Sequence, residues 1–153
     1  MTTECGRSFE ELVAVMSRLR GENGCPWDRE QTMETLRTYI VEEAYELVDA
    51  ISRGETTDIV EEAGDLLLQV VFLSRIAEDE GRFSMNDVVL GLTEKLVRRH
   101  PHVFADGEAD TSDQVLRKWE EIKSVEKEKK RKDTSLPTSG APDRWCQIGR
   151  AHV

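Results

Sequence analysis

Between Ile59 and Ala77 the chain is apolar on nearly every side of a helical wheel, with Leu66, Leu67, Leu68, Val70, Val71, Phe72 and Leu73 almost in succession. A helix apolar all round must be covered all round. One small domain leaves a face of each helix open, so the segment predicts a subunit interface as well as a core. Its start carries Glu61, Glu62 and Asp65, and the preceding helical stretch carries Glu42, Glu43 and Glu46. Core, interface and charge thus meet on one pair of helices.

Glu43 and Glu46 are three residues apart, as are Glu62 and Asp65, which puts each pair on neighbouring positions of one helix surface. At about 100° per residue, Leu36, Ile40, Leu47 and Ile51 define the inward stripe of the first helix, and Glu43 falls within about 20° of Leu36. Glu46 lies on the edge of that stripe beside Tyr39 and Ala50, and Glu42 turns toward solvent. On the second helix Glu62 lies about 40° from Leu66, and Asp65 about 100° away on the flank of Phe72 and Ile76. An ionised carboxylate aimed at a core is costly without a cation or donors, and two of them also repel. A bound metal removes both costs. Four hard oxygen donors at one point call for Mg²⁺, with Mn²⁺ as a substitute.

Helix starts recur along the chain. Ser8 with Glu11, Asp28 with Gln31, Asp58 with Glu61, Ser84 with Asp87 and Thr111 with Gln114 each read as a side-chain cap opening a helix. Glycines at 21, 54 and 81 and Pro101 supply the stops. GENGCPW and HPHVFADGEAD read as loops, and no segment alternates as a strand. The expected fold is all-α, a four- to five-helix bundle over residues 8–127. Residues 128–153 read as a basic helix end and a loose tail without amphipathic pattern, with the look of a truncated or artificial end.

Composition removes several classes of function. With 31 acidic against 21 basic residues, the formal charge of −10 argues against a nucleic acid polymer as partner. No apolar run is long enough to span a membrane and no signal peptide opens the chain, so a cytoplasmic location is expected. Cys5, Cys25 and Cys146 are too widely spaced for a zinc site and odd in number for a disulfide framework.

CPWDREQT (25–32), EEAYE (42–46), EEAGDLLLQVVF (61–72) and KLVRRHPHVF (95–104), in this order and spacing, together resemble the MazG nucleotide pyrophosphohydrolases. The resemblance covers roughly residues 8–127. It implies an all-α fold, assembly into a homodimer or homotetramer, and hydrolysis of nucleoside triphosphates to monophosphate and pyrophosphate, removing non-standard or excess nucleotides. Larger relatives carry two copies of the domain, so the chain reads either as a short member or as the first half of a longer protein.

By motif position Glu43, Glu46, Glu62 and Asp65 match the metal ligands of that family. Glu42 and Glu46 are the catalytic candidates, Glu42 as an outer group or as the base for the attacking water. Measured from Leu92, Arg99 lies within about 20° of the apolar stripe of its helix and Lys95 about 60° off. Both are expected to hold triphosphate oxygens, with structural ion pairing as the alternative. Arg98 is a weaker candidate for the same role. Trp27 either stacks on the base or plugs its loop onto the core. Asp28 and Gln31 are explained by capping, His100 and His102 either touch substrate or pack the turn, and Cys25 is assigned no chemistry.

Two rivals remain at the level of sequence. A di-iron or di-manganese carboxylate bundle needs Glu-x-x-His on two helices, and none of His100, His102 and His152 lies three residues after a Glu. A non-catalytic helical module that binds nucleotide or protein is separated only by a metal-dependent product.

Overall fold

The computed structural model describes residues 3–107, 109 and 111–133, so the tail beyond Asp133 lies outside the described residues. Among those described there is no strand. The elements are α1 (Glu4–Leu19), α2 (Pro26–Glu30), α3 (Met33–Arg53), α4 (Thr56–Asp79), α5 (Met85–Arg99), α6 (Pro101–Phe104) and α7 (Ser112–Asp133). The all-α expectation holds, with five long helices. Of the two short ones, α6 falls in a segment read as a loop and α2 begins in one.

Several helix starts differ from the sequence reading, each for a local reason. Helix α1 begins a turn before Ser8, because the Thr3 hydroxyl accepts from the Gly6 amide at 3.1 Å. Asp28 does not open α3. It lies inside α2, and Gln31 ends that helix, its side-chain amide donating to the Trp27 carbonyl at 3.1 Å. The true cap of α3 is a reciprocal threonine pair. The Thr35 amide donates to the Thr32 hydroxyl at 3.3 Å, and the Thr32 amide donates to the Thr35 hydroxyl at 3.0 Å. Helix α3 stops on Gly54, whose φ of +79° is the left-handed conformation that glycine takes without strain. Helix α4 begins at Thr56, and Asp58, expected to cap it, receives a guanidinium N–H of Arg53 at 3.0 Å. The Ser84–Asp87 and Thr111–Gln114 caps form as read.

The described residues divide into two compact units, one ending at Glu94 and the other starting at Lys95. In the first, α3 and α4 form the principal hairpin and α1 packs on α4. Its core consists of Met16, Leu36, Val71, Phe72 and Ile76, with Phe9, Leu12, Met33, Tyr39, Leu68 and Met85 around it. Every α3 member of that core comes from the first half of α3, and every α4 member from the second half of α4. Toward the other end of the hairpin Ala50 is buried, but most of the larger apolar side chains are exposed. Ile51, expected on the inward stripe, is accordingly 57% exposed, and Val41, Tyr45 and Val48 of α3 and Val60, Leu67 and Val70 of α4 are also exposed. No helix among the described residues is long and apolar enough to cross a membrane.

In the second unit, α7 is tied to the end of α5. Glu126 receives Arg98 at 2.7 Å and Arg99 at 2.6 Å, and the His100 ring lies 6.0 Å from Trp119.

Candidate metal centre and adjoining cavity

Where the hairpin leaves the core, Glu43 of α3 meets Glu62 and Asp65 of α4. Each offers a carboxylate oxygen, and these oxygens all lie within 4.8 Å of one another. All three residues are half-buried, and among the described residues none is held in an ion pair. The electrostatics record the strain of that arrangement. Burial pushes the Glu43 carboxyl above its ordinary range, and the charges of Asp65, Glu46, Glu42 and Glu62 push it further. Burial likewise raises Glu62, reinforced by Glu46, Asp65 and Glu61 and partly offset by Arg53. Three hard oxygen donors in mutual repulsion suit a divalent cation. Of the four donors expected from the sequence, these three come together, and as a set they fit a divalent cation.

Glu46 sits beside this trio. It raises both Glu43 and Glu62, and it lines an open cleft with Tyr45, Asp49, Arg53 and Glu62. Glu42 and Glu46 are both exposed. Arg53, which sequence reasoning passed over, pairs with Asp49 and Asp58 and brings a positive charge to bear on Glu62. Its spacing of four from Asp49 was the available signal.

On the core side, Glu43 also forms part of the wall of a cavity of about 220 Å³. The rest of the wall is mainly apolar and aromatic, including Met16, Leu36, Leu68, Trp27, Tyr39 and Phe72, with Asp28 and Gln69 as the other polar members. Trp27 stands on α2 and is 51% exposed, yet its ring meets Tyr39 edge-on at 6.0 Å and Phe72 at 6.5 Å. It therefore packs onto the core and lines the cavity at once.

Arg20 holds α2 in this position. Its Nε donates to Asp79 at 2.9 Å, one terminal nitrogen donates to the carbonyls of Asp28 and Gln31, and the guanidinium lies 5.7 Å from the centre of the Phe72 ring. Burial alone would raise the Asp79 carboxyl, but hydrogen bonds from Arg20 and Arg75 outweigh it and hold the group below its usual value. Arg20 and Asp79 are 59 residues apart, and nothing in the sequence pairs them.

The cations expected to hold phosphate lie in the second unit. Lys95 is half-buried. Arg98 and Arg99 are both taken by Glu126, whose carboxyl they depress to about 2, Arg99 more than Arg98. Of Lys95 and Arg99, for which ion pairing was the alternative, Arg99 is in an ion pair with Glu126 of α7. Arg99 and Glu126 also line an open cleft with Lys123 and Lys127. His100 Nδ1 lies 2.7 Å from the Leu96 carbonyl, which accords with turn packing.

Comparison with known proteins agrees with this geometry. Residues 31–104 match the model of the MazG nucleotide pyrophosphohydrolase domain. A nucleoside triphosphate pyrophosphohydrolase of Escherichia coli K12 is 50% identical over 129 residues, covering 84% of this chain and 49% of that protein. The nucleoside triphosphate pyrophosphohydrolase/pyrophosphatase MazG of Thermotoga maritima is 50% identical over 128 residues, with the same coverage. The chain thus spans about half the length of these curated relatives. In fold it is similar to the crystal structure of a mazG-related protein from Thermotoga maritima. The TM-score is 0.64 at 24% identity, covering 75% of this chain and 98% of that one.

Proposed function

We propose that the chain belongs to the MazG nucleotide pyrophosphohydrolases and that residues 8–127 hydrolyse nucleoside triphosphates to monophosphate and pyrophosphate in a Mg²⁺-dependent reaction. The observation that carries the reading is the meeting of carboxylate oxygens of Glu43, Glu62 and Asp65 within 4.8 Å of one another, with none of the three in an ion pair among the described residues. These three, with Glu46 beside them, would hold Mg²⁺ or, in its place, Mn²⁺. The ion neutralises polyphosphate charge and makes water more acidic. Glu42 and Glu46, being exposed at the cluster, are placed to take a proton from the water that attacks the α-phosphorus, with pyrophosphate as the leaving group. Lys95, Arg98 and Arg99 are the candidates for the phosphate oxygens, the two arginines by exchanging Glu126 for phosphate. Trp27 offers a face or edge to the base.

A homodimer or homotetramer belongs to the same reading, supported by the uncovered apolar face of α3 and α4. So does a cytoplasmic role in clearing non-standard or excess nucleotides, with no nucleic acid polymer or membrane as partner. The test is pyrophosphate release from all eight common ribo- and deoxyribonucleoside triphosphates, in Mg²⁺ and in EDTA. We expect product only with the metal, and none from Glu62→Gln despite an unchanged circular dichroism spectrum. Metal-independent product, or a fully active Glu62→Gln, would remove the assignment.

A further inference from the structure

An open cleft of about 420 Å³ runs from the carboxylate cluster toward the α3–α4 turn, lined by Tyr45, Glu46, Asp49 and Arg53 of α3 and by Glu62 of α4. Glu43, Glu46 and Asp49 follow one another three residues apart, each step about 4.5 Å along the helix axis. Among the described residues that line the cleft, Arg53 is the one cation. Glu43 lines the cavity with Trp27 and Glu62 lines this cleft, so the cluster stands between the two.

Arg53 is the last residue of α3, and its guanidinium bonds in two directions. It reaches across Gly54 to Asp58 at 3.0 Å, and back along α3 to Asp49. A clip between the two helices needs only the bond to Asp58. The bond to Asp49 holds the guanidinium one turn from Glu46, near enough to the cluster for its charge to lower Glu62. A guanidinium has five N–H donors, and these two carboxylates take one each. With the side chain 46% exposed, donors remain for an anion that enters the cleft. The planar fork stays charged and matches the oxygens of a phosphate.

We infer that Arg53 receives the terminal phosphate of the polyphosphate and so measures its length, favouring a nucleoside triphosphate over the corresponding diphosphate. The inference rests on the proposed nucleotide hydrolysis and adds the residue that distinguishes three phosphates from two. By that reading the α-phosphorus lies at the cluster and the nucleoside on the Trp27 side, so the remaining phosphates extend along the cleft. The third one meets the guanidinium, and a diphosphate ends short of it. Asp49 and Asp58 keep Arg53 in place while the phosphate oxygens accept its other N–H groups. Among so many carboxylates a terminal phosphate without this cation would meet only repulsion.

The test compares nucleoside triphosphates with their diphosphates in Mg²⁺. Wild type is expected to favour the triphosphate in kcat/KM. Arg53→Gln is expected to lower that ratio about tenfold, the worth of one hydrogen bond to a charged group at a half-exposed site. Arg53→Lys, which keeps the charge and loses the fork, should recover part of it. Asp58→Asn removes the clip across Gly54 and leaves Arg53, so it should lower the melting temperature and keep the preference. A wild type without preference, a ratio that Arg53→Gln leaves in place, or a ratio that falls as far in Asp58→Asn would each overturn the inference. Calorimetry with inorganic polyphosphates separates it from the proposed reaction. In Mg²⁺, tripolyphosphate should bind wild type more tightly than pyrophosphate, by a margin about tenfold smaller in Arg53→Gln. If no nucleotide is hydrolysed yet the margin behaves in this way, the length reading stands and hydrolysis falls. A margin that is absent, or equal in both proteins, overturns the inference whatever the activity.

Discussion

Replacing Glu43 by Gln should move stability in opposite directions with and without metal. In the free protein Glu43 has carboxylate oxygens of Glu62 and Asp65 within 4.8 Å. Even at the dielectric constant of water, two unit charges at that separation repel by about 0.9 kcal/mol. Taking the Asp65 pair alone, and with roughly 2–4 °C of melting temperature per kcal/mol for a chain of this size, the metal-free variant should melt about 3 °C higher. The pH dependence carries the same sign. A carboxyl whose folded pKa is raised adds stability below its unfolded value and loses it as pH rises through the folded value, so metal-free wild type gains on acidification and the variant gains less. Mg²⁺ reverses the order. A ligand at one hundred times its Kd stabilises by about 2.7 kcal/mol, roughly 8 °C here, and Glu43→Gln forfeits most of it. The assay is thermal unfolding of both proteins in EDTA and in a Mg²⁺ series, with Glu11→Gln as an exposed acid far from the cluster. A variant that melts below wild type in EDTA, or that keeps the full Mg²⁺ shift, refutes the reasoning.

The Glu126 pairs predict an acid transition in the second unit. With a folded pKa of about 2 against the ordinary 4.5, Glu126 adds stability above the ordinary value that is lost as pH falls through about 2. Amide exchange in α7 should therefore accelerate between about pH 4.5 and 2 in wild type, and should be fast throughout in Glu126→Gln; unchanged protection in either would show that the pairs do not hold α7. If Arg98 and Arg99 also bind phosphate, Glu126→Gln lowers KM for nucleoside triphosphates, whereas a purely structural pair raises or leaves it. Arg20→Met retains the stem over Phe72 but strands two carbonyls and half of the Asp79 pairing. Hydrogen bonds to a charged group are worth about 1.5–3 kcal/mol each, so the loss of three is expected to lower stability in urea unfolding by about 4 kcal/mol or more, together with a higher KM as α2 and Trp27 lose their seat. A neutral effect on both readouts would remove Arg20 as the anchor of α2.

What the sequence made legible, and what it hid, divides along a physical line. The inward phase of Glu43 and Glu62 follows from helix geometry alone, and both are half-buried members of the cluster. Ile51 lies on the same stripe as Leu36, yet Leu36 is 1% exposed and Ile51 57%. Phase gives a direction but not how far the neighbouring helices extend along it, and here the core ends halfway along α3. The Thr32–Thr35 cap escaped because threonine fills a place where Glu or Gln is the usual signal. Arg20 and Glu126 act across 59 and 27 residues of chain, beyond any local pattern. Residues whose surroundings are fixed by their own helix were readable in advance. The residues that seat α2 and pair the arginines of α5 take their meaning from a second element, and the surroundings of the site depend on both kinds.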